Sequence, residues 1–225
     1  MQPDGDANRR GETIVATMGL ATRERAALAD YLQDVGPDRP TLCEGWTTGD
    51  LLAHLLIRER RPDGAIGLLI PAFAGHSDRV RREQRARPWE EQIADFRRPP
   101  IWSPLGWGPI DELANGGEFF IHHEDARRGE PGWTTRTLDR ATADAVAALV
   151  TSRVMKLRLR RCPVGLTAVM PGRRAVLLHP GETVAQLHGE PGEVLLWIAG
   201  RSAVELKVQG DPVAVRAAEG FARRM

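Results

Sequence analysis

The chain has 225 residues, enough for one large domain or for a helical body with a smaller appended domain. Its 31 Lys and Arg residues are balanced by 30 Asp and Glu residues, and this net charge of +1 argues against nucleic acid or an anionic membrane surface as a partner. The longest apolar run, 65–74, is far shorter than the roughly 20 residues of a membrane span, so we expect no span.

The N-terminal residues and the two cysteines bear on where in the cell the protein is expected to be. The first ten residues are polar and of mixed charge, without the apolar segment of a secretion signal. We therefore predict a disordered tail over 1–10 and a cytoplasmic location. Cys43 and Cys162 lie far apart and form no CxxC pair, which in a reducing compartment favours free thiols over a disulfide.

Helical periodicity dominates the first two-thirds of the chain. Apolar residues at 3.6-residue spacing predict an amphipathic helix over 24–35, stopped by the Gly-Pro pair that follows it. Thr47, with Asp50 three residues later, forms a variant of the capping box and predicts the start of a second helix, which carries His54.

The later helices are predicted from composition and punctuation. Two charged segments are expected to face solvent, a proline-rich loop is expected to lie over the surface or to cover a cleft, and Gly129 is expected to cap a helix at its C-terminus. In chain order the predictions are helices over 77–87 and 88–96, a loop over 97–109, and helices over 110–128 and 138–160.

Short strands replace helices after the Cys-Pro pair at 162–163. β-Branched or alternating runs bounded by Pro-Gly turns predict a β-β-β-α-β-α module. Its strands are expected over 164–169, 174–178, 183–188 and 202–208, and its helices over 190–198 and 212–222. The sequence thus predicts an α+β fold, with a helical bundle over 11–161 and a small α/β domain over 162–225.

The helix over 110–128 carries the residues best suited to chemistry. Glu118 and His122 are four residues apart, which stacks their side chains on one face with Cβ atoms about 5–6 Å apart. Asn115 and Asp111 lie on the same face, which has no Lys or Arg until the helix ends. This composition suits metal ligands and the partners that orient them.

His54 lies within a strongly apolar helix, where an inward imidazole needs a partner. A metal ion would supply that partner. The pattern equally fits a core histidine bonded to a backbone carbonyl, beside an ordinary Glu118–His122 pair, because EXXXH spacings are common by chance. The residues alone leave these two interpretations open.

A resemblance to a known family favours the metal site. The stretch 42–55, LCEGWTTGDLLAHL, resembles the motif of the mycothiol-dependent maleylpyruvate isomerase family. Its members have a DinB-like metal-binding four-helix bundle followed by a small α/β domain, so the resemblance extends over nearly the whole chain after residue 20. The family's helix histidine and its EXXXH pair fall on His54, Glu118 and His122, which the resemblance implies are metal ligands.

Within this family the chain resembles most closely a branch of metal-binding proteins from actinobacteria. The stretches that carry this likeness are 42–46, 58–63 and 118–125. The isomerase pattern has a proline near Cys43-Glu44 that this chain lacks, so the resemblance implies no particular substrate.

The resemblance implies a metal- and mycothiol-dependent transferase or isomerase acting on a small electrophile. Two imidazoles and one carboxylate leave open positions on a divalent ion, where a thiol would ionise and become a nucleophile. Zinc fits this donor set best, and nickel, manganese or iron would also be accepted. Water at the open position would instead make a metal-dependent hydrolase, and a saturated ion would make a binding protein without turnover.

Further residues are candidates for secondary roles, and no catalytic residue is assigned. Arg58, with Arg60 and Arg61, is expected to bind acidic groups of the thiol or substrate, or to be a solvated helix end. Asn115 and Asp111 are expected to orient the metal ligands or to be solvated, and Asn115, like Arg58, is expected to assist cofactor binding. Glu59 is expected to be a reserve ligand only, and His123 a surface or packing residue. Cys43 is expected to be a buried packing cysteine or a redox-reactive thiol. Trp102 and Trp107 are expected to line the pocket or to anchor their loop to the bundle, and His179 and His188 to have no catalytic role.

Overall fold

A computed structural model of the chain describes residues 19–61, 74–98, 100 and 108–223, excluding the side chains of 74, 77, 78 and 108–114. The chain divides into two compact units, 1–133 and 134–225. The first unit is helical over its described residues, and the second combines helices with a four-stranded sheet. The α+β class predicted from the sequence is confirmed. Among the helices described, none is both long and apolar enough to cross a bilayer.

Five helices make up the described part of the first unit. They are α1 Leu20–Val35, α2 Thr48–Arg60, α3 Ala74–Arg85, α4 Trp89–Arg97 and α5 Gly108–Arg127. Gly36, at φ 77°, ends α1 as predicted. Both hydrogen bonds of the capping box form at the start of α2: Asp50 N donates to Thr47 Oγ1, and Thr47 N donates to Asp50 Oδ2.

Four of these helices share one apolar core. Helix α1 packs along α5, and α4 packs against both α1 and α2. The core residues include Leu28, Leu32, Leu51, Leu52, Leu55, Leu56, Ile93, Phe96 and Phe119. The expectation that 88–96 faces solvent is wrong, because Ile93 and Phe96 lie three apart on one face of α4 and are buried.

The second unit begins earlier than the sequence suggested. Its elements are α6 Arg140–Val150, α7 Arg153–Arg158, a 3₁₀ turn Leu159–Arg161, β1 Gly165–Val169, β2 Val176–His179, β3 Val184–His188, α8 Pro191–Ile198, β4 Lys207–Gly210 and α9 Pro212–Ala222. Because α6 packs against α8, the boundary lies at 133/134 and not at 161/162. The single helix predicted over 138–160 is broken where Ser152 accepts a hydrogen bond from Met155 N and caps α7.

The sheet has the strand order β2-β1-β3-β4. Strands β1 and β3 are parallel, with Leu166 opposite Ala185, and both outer pairs are antiparallel. The predicted β-β-β-α-β-α order is correct, although the last strand is Lys207–Gly210 and not 202–208. Helix α9 packs on β3 and β4 and covers a core that includes Leu166 and Leu187.

Some predictions concern parts of the chain outside the described residues. These are the tail 1–10, most of the proline-rich loop with Trp102 and Trp107, and the side chain of Asp111.

Candidate metal centre

Helices α2 and α5 bring together the three residues predicted as metal ligands. His54 extends from α2, while Glu118 and His122 lie one turn apart on α5. One donor atom from each residue lies within 4.8 Å of the other two. Nε2 of His122 is 3.2 Å from Oε2 of Glu118, and the two imidazole rings lie 5.4 Å apart between centroids.

His54 and Glu118 have the charges that suit cation binding, whereas His122, whose pKa is raised, would release a proton on binding an ion. Burial, the neighbouring His122 and the positive charge of Arg58 lower the pKa of His54 to about 4, so its imidazole is neutral near pH 7. Burial alone would raise the pKa of Glu118, but the hydrogen bond and charge of His122 outweigh it and lower that pKa to about 2. A neutral imidazole and an ionised carboxylate are the forms that coordinate metals.

His122 is held from its other side by Asp125. Burial tends to lower the pKa of His122, but hydrogen bonds with Asp125, Cys43 and Glu118 raise it well above its ordinary value. Nδ1 of His122 is 3.0 Å from Oδ2 of Asp125, whose side chain is completely buried. With Nδ1 bonded to this carboxylate, Nε2 faces Glu118, the arrangement in which a metal-binding histidine is usually fixed.

Sequence reasoning assigned no role to Asp125 and expected Cys43 to be a packing residue. The thiol of Cys43 instead donates to Oδ2 of Asp125 at 3.4 Å, and the residue is only half-buried. The spacing held a signal for Asp125, because it lies three residues after His122 and therefore on the same helix face. Nothing in the sequence indicated that the loop before α2 would place a sulfur there.

An aromatic ring and an arginine border the cluster beside His54. The indole of Trp46 lies 5.2 Å from the His54 ring, and the guanidinium of Arg81 lies over that indole at 5.6 Å. Arg81 is also paired with Asp50 at 3.2 Å. Trp46 and Arg81 were not predicted as site residues; they reach the cluster from the loop before α2 and from α3.

Arg58 and Asn115, predicted to assist cofactor binding, contact each other. Nη1 of Arg58 donates to Oδ1 of Asn115, and Nδ2 of Asn115 donates to Oε1 of Glu59 at 3.2 Å. Glu59 in turn accepts from Arg25 at 2.7 Å and is buried. Glu59 is therefore committed to a buried ion pair and does not join the cluster, which argues against its expected use as a reserve ligand.

Among the described residues, the other candidates do not belong to the group of three donors. His123 is buried with Nδ1 3.1 Å from Oε2 of Glu24, as a packing role predicted. Arg60 donates to the backbone oxygens of Asp95 and Arg98, which leaves it a helix-end role. His179 and His188 belong to strands of the second unit.

The donor set fits a divalent ion with an open coordination position. Two imidazoles and one carboxylate are typical of catalytic zinc sites, whereas closed structural sites use four protein ligands. The Glu118 side chain retains 40% exposure and that of His122 10%, so the cluster is accessible on the Glu118 side. The buried carboxylate of Asp125 supplies the support that ligating histidines commonly have.

Part of the helical unit is similar to a known protein family. Residues 18–99 match the family described as mycothiol maleylpyruvate isomerase N-terminal domain. The matched region includes His54, whereas Glu118 and His122 lie beyond it. No curated protein sequence matches the chain.

Two solved structures share the fold. One is the crystal structure of the mycothiol-dependent maleylpyruvate isomerase, with 18% identity and a TM-score of 0.54, and the other is a histidine-to-alanine mutant of that enzyme, with 17% identity and the same score. Each alignment covers 85% of this chain and 91% of the other. The predicted resemblance in fold is therefore confirmed, with identities low enough that activity does not follow from it.

Proposed function

We propose that this chain binds one divalent ion through His54, Glu118 and His122, and acts with mycothiol as a transferase or isomerase on a small electrophile. The observation that carries the proposal is the convergence of three donor atoms within 4.8 Å, from two helices, on an accessible face of the bundle. The N-terminal domain match and the fold of the solved mycothiol-dependent isomerases support the choice of thiol.

Each residue of the cluster has a distinct task. A divalent ion, zinc by preference, would lower the pKa of a bound thiol and so supply a nucleophile. His54 is already neutral and needs no proton loss to coordinate. Glu118 contributes the negative charge, and Asp125 holds the His122 ring with Nε2 facing Glu118.

Arg58 and Asn115 serve recognition in this proposal. Arg58 lies one turn after His54 on α2, and its charge acts on both His54 and Glu118. Asn115 accepts one guanidinium N–H and so fixes the orientation of the charge. A carboxylate of the substrate is the group that an oriented arginine beside a metal site recognises.

The first experiment is metal analysis by plasma mass spectrometry on untagged protein. We expect about one equivalent of metal in the unaltered chain and none in His54→Ala or Glu118→Ala, because a three-ligand site tolerates no loss. His188→Ala and the exposed Glu130→Ala are matched controls that should keep the metal. Absence of metal from the unaltered chain after reconstitution would overturn the proposal.

The second experiment tests the thiol separately. Calorimetry should detect mycothiol binding to the metal-loaded protein and not to the chelator-treated one. Binding of a small carboxylate as substrate analogue should weaken in Arg58→Ala and weaken less in Arg58→Lys, since a cation remains. A metal-loaded protein that ignores mycothiol but hydrolyses esters would show that water, and not a thiol, occupies the open position.

A further inference from the structure

A second group of possible metal donors lies on the other side of His122. One donor atom each from Cys43, His122 and Asp125 lies within 4.8 Å of the other two. The Asp125 carboxylate is 3.0 Å from Nδ1 of His122 and 3.4 Å from the Cys43 sulfur. This group shares only His122 with the site proposed above, and it uses the opposite ring nitrogen.

Backbone contacts hold the Cys43 loop in place against the end of α5. Leu42 N donates to the Asp125 carbonyl at 3.0 Å, so the residue before Cys43 is tied to the residue that faces its sulfur. Pro40 packs so closely on Gly129 that a Cβ there would lie 2.0 Å from the Pro40 oxygen. Gly129 is therefore required by this close approach and not, as the sequence suggested, by a left-handed helix cap.

We propose that Cys43, Asp125 and Nδ1 of His122 form a second cation position, selective for a soft divalent ion such as Cd²⁺. A thiolate, an imidazole and a carboxylate are a donor set of that selectivity, whereas His54, Glu118 and His122 offer no sulfur. Binding releases the thiol proton of Cys43 and the proton shared between Nδ1 and Asp125 to solvent, and no group is oxidised or reduced.

The geometry gives this position a different access from the first. Cys43 is half-buried and forms its outer side, while Asp125 and His122 are buried behind it. A cation that enters from the Cys43 side therefore meets a sulfur first, and one that enters from the Glu118 side meets an oxygen. The shared imidazole couples the two positions, because a cation on Nδ1 removes the hydrogen bond that orients the ring.

The test is a Cd²⁺ titration of the full chain, followed by the ultraviolet charge-transfer band of a cadmium–thiolate bond. We expect the band in the unaltered chain and in Cys162→Ser, and its loss in Cys43→Ser, whose hydroxyl preserves the contact with Asp125. Asp125→Asn should weaken Cd²⁺ binding by more than about tenfold, because loss of a ligand costs at least as much as loss of a carboxylate that only supports one.

Glu118→Ala separates this inference from the proposed function. It removes a ligand from the first site only, so the band should persist while the metal measured by mass spectrometry is lost. Circular dichroism on Cys43→Ser and on a second variant, Cys43→Ala, establishes that both are folded. No band in the unaltered chain, or a band that survives in both folded Cys43 variants, would overturn the second position.

Discussion

The two units of the chain differ in what they bury. The helical unit encloses many charged or polar side chains, among them Glu24, Arg25, Glu59, Asn115, His122, His123, Glu124, Asp125 and Arg128. Over its described residues the second unit buries only Thr142 and Glu193 of this class, around a core of leucine, valine and alanine. The interior of the helical unit is therefore ionic, and that of the second unit is mainly apolar.

The buried charges of the helical unit are paired with one another. A buried charge is costly unless it is paired and hydrogen-bonded, and the helical unit pairs its charges: Arg25 with Glu59, His123 with Glu24, and Arg128 with Glu124. Apolar residues of similar volume would hold a bundle together equally well. The ionic interior therefore fits a unit that orients polar groups for binding, while the second unit needs only its packed sheet.

The largest expected effect comes from breaking the central ion pair of the helical unit. Glu59→Ala leaves the Arg25 guanidinium buried between Phe119 and the Phe96 carbonyl without its carboxylate. We expect the free energy of unfolding in urea to fall by about 3–5 kcal/mol. Glu130→Ala removes the exposed ion pair between Arg39 and Glu130, whose side chains are 56% and 51% exposed. It should lower the free energy of unfolding by less than about 1 kcal/mol.

A double variant sharpens the same comparison. Replacing both partners, as Arg25→Met with Glu59→Leu, removes the buried charges together and should recover much of the loss. Equal losses in Glu59→Ala and Glu130→Ala would mean that the buried pair is no more important than an exposed one, contrary to the contrast drawn between the units.

The second unit should respond through packing alone. Leu187 is fully buried at the centre of the sheet on β3, between β1 and β4. Leu187→Ala creates a cavity and should lower the free energy of unfolding by about 2–5 kcal/mol. The metal content of the folded protein should not change, because no candidate donor of the metal centre belongs to this unit. Loss of metal from folded Leu187→Ala would contradict that separation.

A substitution at Asp125 should instead change the metal affinity. Asp125→Asn preserves the volume of the buried side chain but removes the charge that orients Nδ1 of His122. We expect metal affinity at His54, Glu118 and His122 to fall by about 10–100-fold, measured by competition with a chromophoric chelator. Asp95→Asn, in a half-buried pair with Arg87, is the control and should leave affinity unchanged.

Local signals in the sequence predicted the start of α2 and the pairing of Glu118 with His122. Both depend on residues three or four apart, whose proximity follows from helix geometry. The prediction that His54 faces this pair came from the family resemblance, because spacing alone also fitted a core histidine. The resemblance likewise predicted the helical bundle with a small α/β domain.

The sequence did not predict which residues pair across long distances along the chain. Arg25 meets Glu59 across 34 residues, and Cys43 meets Asp125 across 82. The domain boundary was misplaced for the same reason, because the apolar face of α6 has the same periodicity whether it packs in the bundle or, as found, against α8. Apolar periodicity predicts that a helix face is buried, but it does not predict which element packs on that face.

The smallest effect expected is at the cap of α2, the helix that carries His54. Thr47→Ala removes the side chain that accepts from Asp50 N and should cost about 1 kcal/mol of unfolding free energy, with Thr47→Ser restoring most of it. Metal affinity should change little, because packing of α2 against the core places His54 more firmly than its first turn does. If Thr47→Ala lost metal as well as stability, the cap itself would position the ligand, and the site would depend on local helix signals more than on the buried ionic interior.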